Sequence, residues 1–235
     1  MSGFCFKKMK GILTYIKGHA ESTKQAQESL ASYKKFGWDI EMVPGVVPAT
    51  LDRSVFPYPI LKNGRLAKFE GNRLDTKISC LFNNLLFCQK VLEENNLLVK
   101  LEHDSICIAE WDDSYTKDIV DFCFLSYTTA FELGGSHKSK KNFKTESIIG
   151  INQFPDNYPI ITKVNTVWKH SIRPPGTAAY ILTPAGAKKI LQAISNYGLE
   201  QSDYIINSMV LNMQYIYPSV ATYNKNLRTS HGFKL

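Results

Sequence analysis

The chain has 235 residues, 44% hydrophobic and 21% charged, with 28 Lys and Arg against 21 Asp and Glu for a net charge of +7. That suits one large globular domain or two small ones and excludes disordered, collagenous and coiled-coil chains, while no apolar run approaches the roughly 20 residues that span a bilayer. The basic excess favours polyanions: nucleic acid, nucleotide phosphates or an anionic membrane face.

Residues 11–16 (GILTYI) are short, apolar and β-branched and predict a buried strand. Ser22 with Gln25 three residues on has the capping-box pattern and predicts a helix start. Ala26, Ser29, Leu30 and Tyr33 share its inner face, and Gly37 ends it. Residues 38–43 (WDIEMV) predict a second strand, and strand–helix–strand predicts a parallel α/β sheet. Residues 44–74 carry Pro44, Pro48, Pro57 and Pro59 and predict an irregular, functional loop.

Asp75 is placed to cap the next helix, whose stripe of Ile78, Leu81, Phe82, Leu85 and Leu92 predicts deep burial. Residues 97–101 (LLVKL) predict a strand running into Glu102-His103-Asp104, and residues 120–126 predict another. Residues 134–144 are polar and basic and predict a loop. Residues 166–171 predict a short strand and 176–182 a firmer one. Thr183 with Pro184 predicts a helix start, Gly198 its stop, and a further helix begins near residues 201–203. With no internal repeat, the expectation is one domain over 1–235.

The five cysteines, Cys5, Cys80, Cys88, Cys107 and Cys123, are odd in number and lack a C-x-x-C, so they read as small core residues in a reducing compartment. The start, MSGFCFKKMKG, lacks the apolar stretch and cleavage site of a signal peptide. The expected location is cytoplasmic, the host cytoplasm for a viral chain.

Glu102 and Asp104 stand two residues apart at a strand end. On an extended chain both point to one side, where paired carboxylates can grip a hard cation such as Mg or Mn, and His103 points away. Ligands of open α/β sheets bind past the carboxyl ends of strands, which is where this triplet falls. The same pattern also suits a solvated acidic turn. His19, His137, His170 and His231 have no metal-ligand spacing. The sequence holds no P-loop, no G-x-G-x-x-G and no G-x-S-x-G, which argues against those nucleotide and hydrolase sites.

Residues 78–106, ISCLFNNLLFCQKVLEENNLLVKLEHDSI, resemble the central block of glycosyltransferase family 25, the lipopolysaccharide sugar transferases and their collagen galactosyltransferase relatives. Residues 176–191, GTAAYILTPAGAKKIL, are similar to that family's G-T-x-x-Y-x-x-x-x-x-G-A-x-x-x-L segment, and Ser202-Asp203-Tyr204 resembles its later aspartate. The chain departs from the family in three places. His103 stands where an acid is usual, Asn83-Asn84 replaces Ser-His, and residues 14–19 replace an Asn-Leu and arginine segment.

The resemblance implies a GT-A-like α/β fold with a mostly parallel central sheet, its donor-binding half at 1–110 and its acceptor-side half at 111–235. It implies an inverting transferase using a nucleotide-sugar, expected to be UDP-linked, with Mn or Mg. On that reading Glu102 and Asp104 hold metal and nucleotide, His231 closes the metal site from the tail, and Asp203 is the base. Asp203 reads equally as a helix cap, and His231 reads more readily as a solvated tail residue. Tyr15 and Lys17 follow the first strand and are expected at the nucleotide. One of Arg53, Arg65 and Arg73 is expected to pair with the diphosphate.

Three acceptor readings compete. The +7 charge and Lys138, Lys140, Lys141 and Lys144 favour a hydroxylated or hydroxymethylated base in DNA, held through its phosphates. The family resemblance favours lipopolysaccharide or another glycan. The third is a non-catalytic nucleic-acid- or sugar-binding module.

Overall fold

The computed structural model describes residues 8–132, 146–158 and 165–223. A seven-stranded sheet runs through it between helices on both faces. In chain order the first strands and helices are β1 (Lys10–Tyr15), α1 (Ala20–Lys35), β2 (Asp39–Pro44), α2 (Gly71–Glu94), β3 (Leu98–Glu102) and β4 (Ser105–Cys107). They are followed by β5 (Phe122–Phe124), β6 (Gly150–Gln153), β7 (Ala179–Leu182), α3 (Pro184–Tyr197), α4 (Ser202–Ile205), β8 (Met213–Tyr217) and β9 (Ala221–Tyr223).

The sheet order is β2-β1-β3-β7-β5-β8-β6, and β4 and β9 form a separate ribbon. β1 pairs parallel with β2 and β3, and β5 parallel with β8. β7 runs antiparallel to β3 and β5, and β6 antiparallel to β8. The sheet is therefore mixed. The expected parallel group is present among β2, β1 and β3, and β7 reverses sense beside it.

Side-chain alternation sorts each strand between the two layers. Leu98, Phe122, Tyr180, Leu182 and Met213 face α2 and α3. Val99, Leu101, Cys123, Ala179 and Ile181 face the α1 side, packing with Ala26, Tyr33 and Trp38. A buried Asp121 ties β5 to its surroundings, taking Lys189 Nζ at 2.6 Å and Asn212 N at 2.8 Å.

Three local expectations are corrected. α1 opens at Ala20, capped by His19, whose Nδ1 accepts from Ser22 N at 3.2 Å; Ser22 is inside the helix and buried. α2 opens at Gly71, a turn before Asp75, which instead pairs with Arg53 at 2.7 Å. Residues 166–171 form turns rather than a strand. At the start of α3 the cap is as expected: Thr183 accepts from Gly186 N at 3.1 Å, with Pro184 in the first turn. Among the described residues no helix is long and apolar enough to cross a membrane.

Candidate functional site

The carboxyl ends of β1, β2 and β3 all stop at one cavity of about 350 Å³. Its first wall is largely apolar: Tyr15 and Ile16 at the end of β1, then Val46, Val47 and Pro48 after β2. The opposite wall is the first half of α2, which presents Asn72, Thr76, Ser79 and Asn83. These fall at i, i+4, i+7 and i+11, a single polar stripe on a helix whose other face is core. Lys100, Glu102 and His103 close the floor and mouth. An apolar wall and a polar one, at this volume, suit a small ligand with one apolar and one polar part.

β3 explains the floor. Its residues alternate, so Lys100 and Glu102 share the α2 face with Leu98. Lys100 is 1% exposed and donates to Thr14 Oγ1 at 2.8 Å. Burial holds its ammonium pKa below the usual lysine value, against the opposing pull of Glu102. Glu102 is half-buried, and its Oε1 accepts from Thr177 Oγ1 at 3.2 Å. Desolvation raises its carboxyl pKa, and the nearby Asp104 and Asp203 carboxylates raise it further.

The extended geometry assumed for the triplet does not occur. β3 ends at Glu102, and Ser105 Oγ donates to Glu102 O at 2.9 Å, closing a turn that carries His103 and Asp104. The correction is that His103, expected to point away, lines the cavity, whereas Asp104 is buried in the turn and is not part of the cavity wall. Asp104 Oδ1 is buried without a hydrogen-bond partner, and burial raises its pKa. His103 is 8% exposed, and desolvation lowers its pKa.

Other expected residues are placed as follows. Tyr15 lines the cavity, whereas Lys17 is exposed in the following turn and does not. Of the three arginines, Arg53 is paired with Asp75, Arg65 lies over the Phe69 ring, and Arg73 lines the cavity while stacking on Phe69 at 4.8 Å. Asp203 sits in α4, and its charge is felt at Glu102, Cys80 and Tyr223. Lys138, Lys140, Lys141, Lys144 and His231 lie outside the described residues.

Sequence reasoning missed four contributors. Lys100 is a lone lysine inside an apolar strand, in phase with Glu102. The α2 stripe has helical spacing. Thr177 reaches Glu102 from the segment before β7. Tyr223, opposite Ser105 in the β4–β9 ribbon, lies near the charges of Glu102, Asp104 and Asp203. Only the first two leave a signal in the local sequence.

Among the described residues no group of three or more His, Cys, Asp or Glu is placed to hold a metal ion. Glu102 lines the cavity, while Asp104, outside its wall, keeps an unpartnered Oδ1 and acts on Glu102 through its charge; carboxylate oxygens with substrate phosphates and water are the ligands that Mg or Mn takes. No protein-family model matches the chain, and no curated protein matches it.

Proposed function

We propose that this chain is an inverting glycosyltransferase of GT-A-like fold that moves a sugar from a nucleotide-sugar to a hydroxyl acceptor. The observation that carries the reading is that Glu102 lines a cavity set between α2 and the carboxyl ends of three parallel strands. The resemblance of residues 78–106 and 176–191 to glycosyltransferase family 25 supports it.

In this reading Tyr15, Ile16 and Val46–Pro48 hold the nucleoside. Glu102 and Asp104 would hold Mn or Mg, which when bound neutralises the departing diphosphate. Asp203 takes the proton from the acceptor hydroxyl. The acceptor oxygen bonds to the anomeric carbon as the bond from that carbon to the diphosphate oxygen breaks, and the nucleoside diphosphate leaves. The α2 stripe and Thr177 orient ligand and carboxylate.

A hydroxylated or hydroxymethylated base in DNA is the preferred acceptor, on the net charge of +7 and the lysines at 138, 140, 141 and 144. The alternative is lipopolysaccharide or another glycan, and a non-catalytic binding module ranks last. The test is a donor-hydrolysis screen over nucleotide-sugars with Mn or Mg, repeated with hydroxymethylated DNA and with lipopolysaccharide cores. Replacing the four lysines by Ala should raise KM for DNA more than it lowers kcat, and leave a soluble glycan acceptor unaffected. Transfer to lipopolysaccharide without salt-sensitive DNA binding would reverse the acceptor order; no hydrolysis of any donor would remove the transferase reading.

A further inference from the structure

Two buried polar groups that line the cavity keep hydrogen-bonding capacity that the protein leaves unused. Lys100 is 1% exposed, and its ammonium makes a hydrogen bond to Thr14 Oγ1 at 2.8 Å. An ammonium has three N–H donors. Among the described residues it has no second hydrogen-bond acceptor and no carboxylate at ion-pair distance. Thr14 is itself committed, donating to Leu101 O at 3.2 Å. Across the floor, Ser79 on α2 is 3% exposed, and its hydroxyl has no hydrogen-bond partner. Both side chains line the cavity.

A buried charge or hydroxyl left short of partners costs stability, and a methionine and an alanine would fill the two positions more cheaply. Both groups can donate, and the ammonium can only donate, so they call for an oxygen acceptor, best an anionic one. Asn83 cannot answer them, because both ends of its amide are used by Val46. Arg73 adds a second cation on the same helix wall.

We propose that Lys100 and Ser79 form an anion subsite at the cavity floor that takes a phosphoryl oxygen between ammonium and hydroxyl. This deepens the nucleotide-sugar reading and rests on it for the identity of the anion as the donor's diphosphate. The subsite belongs to the protein itself and acts beside any cation at Glu102 and Asp104.

The experiment titrates the full chain with inorganic pyrophosphate by calorimetry, in chelator, and records Tm for each variant. Lys100→Met keeps the aliphatic stem and removes the charge. It should weaken pyrophosphate binding about tenfold or more, and Ser79→Ala about threefold, with Tm unchanged or raised. Unchanged affinity in Lys100→Met overturns the proposal, and a lowered Tm alongside it marks Lys100 as structural. Should Lys100→Met not fold, Ser79→Ala decides alone, and unchanged affinity there also overturns it. Wild-type protein that binds no pyrophosphate does the same.

A parallel titration with nucleotide-sugars separates the two readings. Lys100-dependent pyrophosphate binding with no nucleotide-sugar binding keeps the subsite and removes the transferase. Equal nucleotide-sugar turnover in Lys100→Met removes the subsite and keeps the transferase.

Discussion

The Asn83 side chain pairs with the Val46 backbone in both directions: Oδ1 accepts from Val46 N at 2.7 Å, and Nδ2 donates to Val46 O at 3.0 Å. The amide serves the chain beyond β2 as a neighbouring strand would, and so fixes the apolar wall of the cavity to α2. The approach is close, since a Cβ on Gly45 would stand 3.2 Å from the Asn83 amide.

Asn83→Ala should therefore cost about 1–2 kcal/mol, from two lost and partly buried hydrogen bonds. For a chain of this size each kcal/mol lowers Tm by roughly 2–4 °C. Nucleotide binding should fall further than stability, because the wall is freed while the core is untouched. Asn83→Asp, which accepts but cannot donate, should lie between. Thermal melts and nucleotide titrations of both variants check this.

Asp104→Asn should cut sugar transfer by orders of magnitude and leave the fold intact, since the amide keeps the size and removes the charge. Full activity in this variant, with or without Mn, would exclude the cation role.

The same carboxylates set a pH trend. Glu102 and Asp104 both have pKa values raised above the ordinary carboxylate range, chiefly by burial. The folded state then holds protons that the unfolded state has released, so stability falls as pH rises from about 4, the ordinary carboxylate pKa, through the raised values. Glu102→Gln with Asp104→Asn should flatten that slope. Melts across pH in chelator measure it, and an unchanged slope in the double variant would refute the assignment.

Gly176 has φ of +131°, where a side chain is strained, and a Cβ there would meet Tyr223 Oη at 3.0 Å. Gly176→Ala should cost about 1–3 kcal/mol from the backbone alone. Tyr223→Phe added to it should restore only the steric part. Full recovery in the double variant would show that the contact, not the backbone, is what glycine relieves.

Cys80 lines the cavity and is the least buried of the described cysteines, while Cys88, Cys107 and Cys123 are buried in the core. Its thiol is pushed up to about 11, mainly by desolvation with Glu102 adding to it, so alkylation should be slow at neutral pH and quicken as pH rises. A nucleotide seated in the cavity should slow labelling at Cys80 in peptide maps. Labelling at an undiminished rate under saturating nucleotide would place the nucleotide elsewhere.

Much of the first half was legible before the structure because its signals are local. Residues 11–16, 38–43 and 97–101 carry apolar, β-branched runs, and β1, β2 and β3 lie there. Thr183, Pro184 and Gly198 bracket α3 as their chemistry requires. Asp75 misled because the first turn of α2 is exposed at Gly71, Asn72 and Arg73, so the apolar period does not reach back to the true start. Residues 166–171 misled because a short mixed run reads alike as a strand or as turns.

The sequence by itself determined the α/β class, the parallel start and the presence of two carboxylates at a strand end, since each rests on residues within a few positions of one another. Only the tertiary structure decided what surrounds them. It turned the chain at His103, buried Asp104, set Lys100 against Thr14, and brought Thr177, Asp203 and Tyr223 into the neighbourhood of Glu102. Lys100 and Thr14 are 86 residues apart and Glu102 and Thr177 are 75 apart. Burial, not pattern, makes an ordinary lysine and an ordinary serine into groups in need of a ligand.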